Sequence, residues 1–405
     1  MSEIRNIYET AVIGGGFSGA VAACVLSETF GDKIAVLERN KRIGKKIAAT
    51  GNGRCNITNS RIEKNRYHSA EGLASLSVLE KYGSDSLCDW MLSVGVPISF
   101  EGEKAYPCSR QASSVAEALS DKLTYERTSV FYDYDCVSLV RQKDGLFVAA
   151  SKDGRKIVAK RVILACGGAA GRQYGTDGYG YSLAKSLGHS VTRIYPSVVQ
   201  LTTEREKIKG LKGVKVDAVV DAYVGNEVVA SVRGDVLFTD YGVSGNAIFS
   251  VSSYVVGKEN VSIRIRFLPE FSQSELSDIL KEKIALSPYV GKEKLLLGCV
   301  HGSVGRAVTA LTGKIDSPYA YADAIAANLK NFTLKINGTL GLDSAQVTRG
   351  GVRLGEINET TMESKLVKGL YMVGEILDVD GDCGGFNLQW AYSSARAAAE
   401  DILSR

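Results

Sequence analysis

Read for its apolar and polar positions, the chain opens with a short apolar run at residues 8–13. The glycine-rich turn GGGFSG follows, and then the apolar stretch AVAACVLSETF, which stops at Gly31. A second short apolar run, KIAVLE, ends in Glu38. Strand, turn, helix and strand within about 30 residues make a β-turn-α-β unit. Residues 11–27 carry no charge, but they hold Gly14, Gly15, Gly16 and Gly19. They also fall short of the roughly 20 apolar residues a membrane span needs, so buried core is the expectation. Further on, residues 73–95 show a helical period broken at Gly83, and residues 113–122 a second one. Residues 129–163 turn strand-like, with KDG and DGR as turns, predicting three short antiparallel strands that feed a buried one. Residues 177–188 read as a helix with a glycine stop.

From about Pro196 to about Phe267 strand alternation dominates, punctuated by Gly210, Gly213, Gly225, Asn226 and Gly234. Residues 272–312 read as helical, and Ser272 with Glu275 has capping-box spacing. Residues 332–336 and 345–353 return to strand character, and the chain ends in strand, loop and a C-terminal helix.

Composition narrows the class. At 405 residues the chain has room for two or three domains of about 150 residues each. With 45% hydrophobic and 23% charged residues it reads as globular rather than disordered. Its 49 basic and 45 acidic residues leave a net charge of +4, too mild to suggest a nucleic-acid partner. The one basic stretch, Arg39, Lys41, Arg42, Lys45 and Lys46, reads in isolation as a solvated loop. The eight cysteines form no CxxC pair, and the three histidines are scattered at 68, 189 and 301, so no metal site is expected. Acids at 378, 380 and 382 alternate like a calcium loop but lack further ligands. The opening MSEIRNIYET has no basic n-region or apolar h-region. A cytoplasmic location, free thiols and no membrane association are the expectation.

Four signals carry chemistry. Gly14-x-Gly16-x-x-Gly19 matches GxGxxG, and here it follows a strand, opens a helix and precedes Glu38 at the next strand's end. Gly14 permits the tight turn, Gly16 lets backbone N–H groups reach a pyrophosphate, and Gly19 lets helix and strand pack closely. Phe17 and Ser18 sit at the helix N-terminus that would meet the phosphate charge. Glu38 would accept hydrogen bonds from ribose hydroxyls, which points to FAD or NAD rather than NADP. The second signal is the apolar strand that ends in Ala165, Cys166 and Gly167. The third is a strand ending in Gly374-Glu375, with Gly385, Phe386, Asn387 and Leu388 opening the last helix. N–H groups there would face the flavin pyrimidine carbonyl. The fourth is the loop GKKIAATGNGRCNITN at 44–59. Lys45, Lys46 and Arg54 could neutralise phosphate or reduced flavin, with Gly53, Cys55 and Asn56 lying against a flat ring. Cys55 reads more readily as a packing residue, having no neighbouring cysteine. Arg39, and Val137 in the strand-like run, complete the candidate cofactor set. A first dinucleotide unit at one end and Gly-Glu at the other is the pattern of a discontinuous FAD domain.

Together these residues resemble the HI0933-like flavoprotein family, with further agreement at GDVLFTDYGVSGNAIFSVS (234–252), VTRGGVRLGEIN (347–358) and TMESKLVKGLYMVGEILDVDGDCGGFNLQWAYSSA (361–395). The chain departs from that pattern in having Asn246 where members more often carry Pro, and Cys166-Gly167 where they tend to have Ser-Gly. The resemblance implies an α/β fold with a discontinuous Rossmann-like FAD-binding domain over 1–195 and 340–405. It further implies an inserted β-rich, barrel-like domain over 196–270 and 313–339, and a small helical domain over 271–312. It also implies non-covalent FAD, reduction by NAD(P)H in some members, and enone-like steroid or bile-acid acceptors in one branch.

The expected function is therefore an FAD-dependent oxidoreductase acting on a small hydrophobic molecule. An oxidase using O2, or a non-catalytic flavin or RNA-associated protein, is the alternative. Neither Gly178-Tyr-Gly180 nor the glycines at 298, 302 and 305 form a second fingerprint, so NAD(P)H would dock transiently at the flavin face. No catalytic acid or base stands out. Arg54, Tyr241, Ser244, Asp380 and Asp382 are weak candidates, each as readily explained by loop structure.

Overall fold

The computed structural model describes residues 7–72 and 77–405. The chain divides into two compact units, residues 1–196 with 346–405, and residues 197–345.

In the first unit, Ser129–Phe131, Ile34–Leu37, Ile7–Ile13 and Lys156–Leu164 lie side by side as parallel strands. The far side of Lys156–Leu164 is shared. Its first half pairs antiparallel with Phe147–Ser151, and Val162–Leu164 pair parallel with Leu370–Met372. A strand from the chain's end thus completes the sheet begun at its start. Parallel strands share a direction, so the turns after Ile13, Leu37, Leu164 and Met372 open on one edge, the usual binding edge of such sheets.

The helix Phe17–Phe30 packs between this sheet and the helices Ala112–Tyr125 and Phe386–Leu403. That explains why it is apolar all round: Ala20 through Leu26 are buried on every side. The expected helix at 73–95 is two helices, Ser77–Lys81 and Ser84–Ser93, separated at Gly83. Residues 73–76 lie outside the described residues. The strand-like run from 129 divides differently from expectation. Ser129–Phe131 joins the parallel sheet beside Ile34–Leu37, and only Cys136–Arg141, Phe147–Ser151 and Lys156–Leu164 make the antiparallel meander.

The second unit holds a closed six-stranded barrel in the order Leu201–Thr203, Gly242–Ser244, Glu227–Phe238, Lys215–Val224, Val261–Phe267, Phe332–Thr339. Phe238, Phe267 and Phe332 meet at its centre with ring centroids 5.5–6.5 Å apart. The strand-like reading of 196–267 misses the short helix Arg205–Ile208 and the longer one Asn246–Val255. Its β-branched and aromatic residues favour strand locally. Ala247, Ile248, Val251 and Val255, however, bury one helical face in the barrel core.

The capping box at Ser272 is present: Glu275 N–H donates to Ser272 Oγ (3.2 Å) and Ser272 N–H to Glu275 Oε2 (2.7 Å). Helical structure runs past 312 to Pro318–Lys330. Leu276, Val304, Val308, Ile325 and Leu329 share one hydrophobic core with the barrel strands. The helices at 271–312 fall in the same compact unit as the barrel strands and share their core. Among the described residues no helix is long and apolar enough to cross a membrane.

Candidate cofactor site and family

The fingerprint turn is held between two strands. Gly14 N–H donates to Leu37 O and Ala165 N–H to Ile13 O, both at 2.9 Å. Gly14 has φ +107°, and a Cβ on it would overlap the Ala165 carbonyl. A Cβ on Gly19 would overlap the Gly14 carbonyl, so that glycine sets the spacing of helix and turn. Gly16 differs: its φ of −69° suits any residue, and among the described residues nothing beyond its chain neighbours and its own helix lies within 4 Å of an added Cβ. It caps the helix Phe17–Phe30 without a side-chain hydrogen bond, and the first turn holds no acid. The result is an open helix N-terminus carrying about half a positive charge, beside free space. Phe17 and Ser18 are buried behind it.

Around this turn the other expected residues gather. Glu38, buried, accepts the N–H of Gly15 (2.7 Å) on one carboxylate oxygen and two N–H groups of Asn40 (2.7 and 2.6 Å) on the other. An ionised carboxylate offers about four acceptor positions, so capacity remains for a hydroxyl donor. Arg39 is ion-paired to Asp135 (2.7 Å) and Asp177 (3.0 Å) and joins three segments at the sheet edge. Val137 is the extra residue of a β-bulge between Cys136 and Ser138, out of the strand ladder. Cys166 Sγ donates to Ile13 O (3.4 Å), and burial pushes its thiol pKa well up. A Cβ on Gly167 would meet the Thr176 side chain.

Lys45 makes one long bond to Asn40 (3.3 Å), whereas Lys46 is ion-paired to Glu375 (2.8 Å) and also donates to Ala170 O. The other Glu375 oxygen accepts Thr348 N–H (2.8 Å). Gly374 is anchored by Ser394 Oγ and Trp390 Nε1 of the C-terminal helix, and a Cβ on it would overlap the Ser18 side chain. The two ends of the chain therefore meet at one place.

The 44–59 loop packs on the turn that opens the C-terminal helix. Asn59 Nδ2 donates to Gly384 O (3.0 Å), and a Cβ on Gly385 would overlap the Thr58 carbonyl. Like the first helix, Phe386–Leu403 begins without a side-chain cap and without an acid in its first turn. Phe386 is buried beneath Tyr67 (5.8 Å, edge-on) and Arg66 (4.9 Å). The Asn387 side chain is turned back to hold both backbone groups of Gly381 (2.8 Å each). Leu388 is half-buried. Arg54 lies over the Tyr106 ring (4.6 Å) and ion-pairs with Glu101. Gly53 faces open space. Cys55 is buried with its thiol pushed up to about 11 by desolvation, so it is a packing residue and not a thiolate. The Asn56 amide, with its nitrogen placed to donate, bonds Ala105 O and Thr58 O.

Of the acid–base candidates, Asp382 has the richest setting. It is buried, 2.7 Å from His68 Nε2 and 2.9 Å from Arg66 Nε. Strand pairing of Tyr67–His68 with Asp380–Gly381 brings these together. His68 itself escapes sequence reasoning, because its partner lies more than three hundred residues away. Asp380 forms a two-toothed ion pair with Arg349 (3.0 Å twice), a structural role. Asp378 accepts from Ser69 and Ala70, and burial raises its pKa. Tyr241 and Ser244 belong to the barrel unit. Tyr241 sits at the turn before Gly242–Ser244, where its carbonyl accepts Thr203 N–H (3.2 Å).

Comparison with known proteins then decides the family. Residues 8–401 match the HI0933-like protein Rossmann domain. The chain belongs to the HI0933-like family. A relative from Clostridium scindens, 37% identical with 96% of this chain and 98% of its own covered, is a 3-dehydro-bile acid delta(4,6)-reductase. One from Escherichia coli, 28% identical over 98% of both chains, is a ribosomal RNA dihydrouridine synthase. In fold, the chain resembles the 3-ketosteroid-delta4-(5alpha)-dehydrogenase of Rhodococcus jostii RHA1, at TM-score 0.52 and 15% identity, covering 100% of this chain and 99% of that one. It also resembles a flavocytochrome c3 fumarate reductase, at TM-score 0.51 and 16% identity, covering 98% and 79%.

This HI0933-like chain is an FAD-dependent oxidoreductase of the Rossmann type. Its residues fit that cofactor. Two helix N-termini lack side-chain caps and first-turn acids, and the glycine at one of them has free space where a side chain would otherwise project.

Proposed function

We propose that this chain is a cytoplasmic reductase that adds two hydrogens across a carbon–carbon double bond conjugated to a carbonyl. NAD(P)H would be the donor and a small hydrophobic enone, of steroid or bile-acid type, the acceptor. The observation that carries this reading is the 37% identity, over 96% of the chain, to a reductase of 3-dehydro-bile acids. The balance is simple: a hydride from NAD(P)H goes to the β-carbon and a proton to the α-carbon, and NAD(P)+ leaves.

FAD, when bound, supplies the two-electron carrier between donor and acceptor. The turn at Gly16 and the helix Phe17–Phe30 would hold its pyrophosphate, and Glu38 an adenosine ribose hydroxyl. The Lys46–Glu375 pair would border the ribityl chain. The N–H groups of the helix Phe386–Leu403 would stabilise negative charge on the pyrimidine edge. His68, whose Nε2 lies 2.7 Å from Oδ1 of buried Asp382, is the group in this loop that would supply the proton, with Asp382 orienting its ring. With no second nucleotide fingerprint, donor and acceptor would visit the same face in turn.

An anaerobic titration with NADH, and separately NADPH, tests the donor: one of them bleaches the visible flavin absorption. A protein that stays yellow with both overturns this half of the reading. One that reoxidises rapidly in air with peroxide release is an oxidase. His68→Gln is expected to slow reoxidation of the reduced enzyme by a 3-oxo-4-ene steroid by about a hundredfold, within the usual range for a general acid. Reduction by the nicotinamide should be largely unaffected. Equal slowing of both half-reactions in rapid mixing would remove His68 from the proton path.

A second reading has its own support in the Escherichia coli relative. The uracil C5=C6 bond is also conjugated to a carbonyl, so the same chemistry would serve an RNA substrate. Tight binding of ribosomal RNA that weakens steeply with salt would favour it.

A further inference from the structure

The hairpin Ile98–Glu101 with Lys104–Pro107 stands against the turn that opens the C-terminal helix. It pairs with Thr58–Asn59, whose Asn59 bonds Gly384, and Lys104 Cε lies 3.7 Å from where a Cβ on Gly384 would sit. Two guanidinium groups are fixed there over a single aromatic ring. Arg54 lies 4.6 Å and Arg110 4.7 Å from the centroid of Tyr106. Both reach the same carboxylate oxygen, Glu101 Oε2, with Arg110 at 3.4 Å. Arg110 Nη1 is buried and makes no hydrogen bond among the described residues.

The charges do not balance. Arg54 and Arg110 face one carboxylate, while neighbouring Glu103 is taken by Arg61 (3.1 Å) and Asp382 by His68 and Arg66. A planar guanidinium binds a carboxylate best through two parallel bonds. Here each spends one contact on a shared oxygen. Glu101 is also the easiest member to displace: it is 56% exposed at the end of a hairpin strand, next to a Gly102 turn.

The geometry points to Arg54 and Arg110 as a clamp for the carboxylate of an acidic substrate, with Glu101 holding the place of that carboxylate until the substrate arrives. This rests on the reading above and narrows it to enones that carry an organic acid remote from the reacting carbons. Binding energy from such a remote group would position the ring system for hydride transfer. Tyr106 fixes both guanidinium planes in advance, so little side-chain entropy is lost on binding.

The experiment is a calorimetric titration of the FAD-loaded enzyme with cholate, and with methyl cholate as the neutral control. Neither contains an enone, so binding is read apart from turnover. Arg110→Gln is expected to weaken cholate about tenfold with a much smaller effect on the ester. Glu101→Gln, which removes the competing carboxylate, is expected to tighten cholate about threefold to tenfold.

The opposite signs separate a clamp from a structural ion pair, since breaking a structural pair from either side gives no gain. Cholate binding that is indifferent to both substitutions, or weakened by Glu101→Gln, overturns the clamp. So does a wild type that binds acid and ester equally. If the clamp behaves as expected but no enone reoxidises the reduced enzyme, the clamp stands and the enone reading falls. If a neutral steroid enone is reduced while cholate and ester are not distinguished, the reverse holds. An RNA oligonucleotide that competes with cholate, and binds more tightly through Arg110, would overturn the carboxylate in favour of phosphate.

Discussion

Gly16→Val is expected to yield a folded but colourless protein. The backbone there, at φ −69° and ψ −172°, is one that valine adopts without strain, and among the described residues nothing beyond its chain neighbours and its own helix lies within 4 Å of the new Cβ. Stability should therefore shift by no more than about 0.5 kcal/mol, as for an ordinary exposed site. What the side chain does occupy is the space in front of the open N-terminus of the helix Phe17–Phe30. A pyrophosphate held off those N–H groups loses both hydrogen bonds and the favourable helix field. FAD affinity should fall at least about a hundredfold, or about 2.8 kcal/mol. The check is the ratio of flavin to protein absorbance after reconstitution, with the melting temperature of the FAD-free protein as control. A yellow, fully loaded variant would remove the cofactor from this turn.

Gly19→Val, three residues on, should fail for a different reason. Its Cβ would overlap the Gly14 carbonyl and stand 3.1 Å from Ala165 Cβ. Neither neighbour can retreat, because Gly14 and Ala165 are both hydrogen-bonded to central strands at 2.9 Å. The helix would have to lift off the sheet, exposing Ala20, Val21 and Cys24, which are fully buried. The cost should exceed the usual overpacking range of about 1–3 kcal/mol, a large part of a total stability of about 5–15 kcal/mol. The expected result is loss of soluble protein, or a melting temperature lower by about 10 °C even without FAD. A Gly19→Val protein as stable as the parent would show that the turn is built otherwise. The two substitutions together separate the glycine that makes room for a ligand from the one that makes room for the fold.

The opening strand, turn, helix and strand were readable because each signal is local. A fingerprint with its flanking apolar runs dictates its own backbone over a few tens of residues, and the same holds for the capping box at Ser272. The family was readable too, since the residues that carry it lie in continuous stretches. Misreadings arose where local preference and tertiary burial disagree. Asn246–Val255 has strand-forming residues but is helical because one face is buried in the barrel core. Ser129–Phe131 reads as part of a hairpin but is recruited by Ile34–Leu37.

What the tertiary structure alone decided is which distant polar groups meet. Lys46 with Glu375, His68 with Asp382, Asn59 with Gly384 and Thr58 with Gln389 each join residues more than three hundred positions apart. These pairs exist because the last strand, Leu370–Met372, docks on the free half of Lys156–Leu164 and returns the chain's end to its beginning. No periodicity or spacing along the sequence encodes such a meeting. A side chain's partner at this range is set by the closure of the sheet, and with it the pairing of His68 with Asp382.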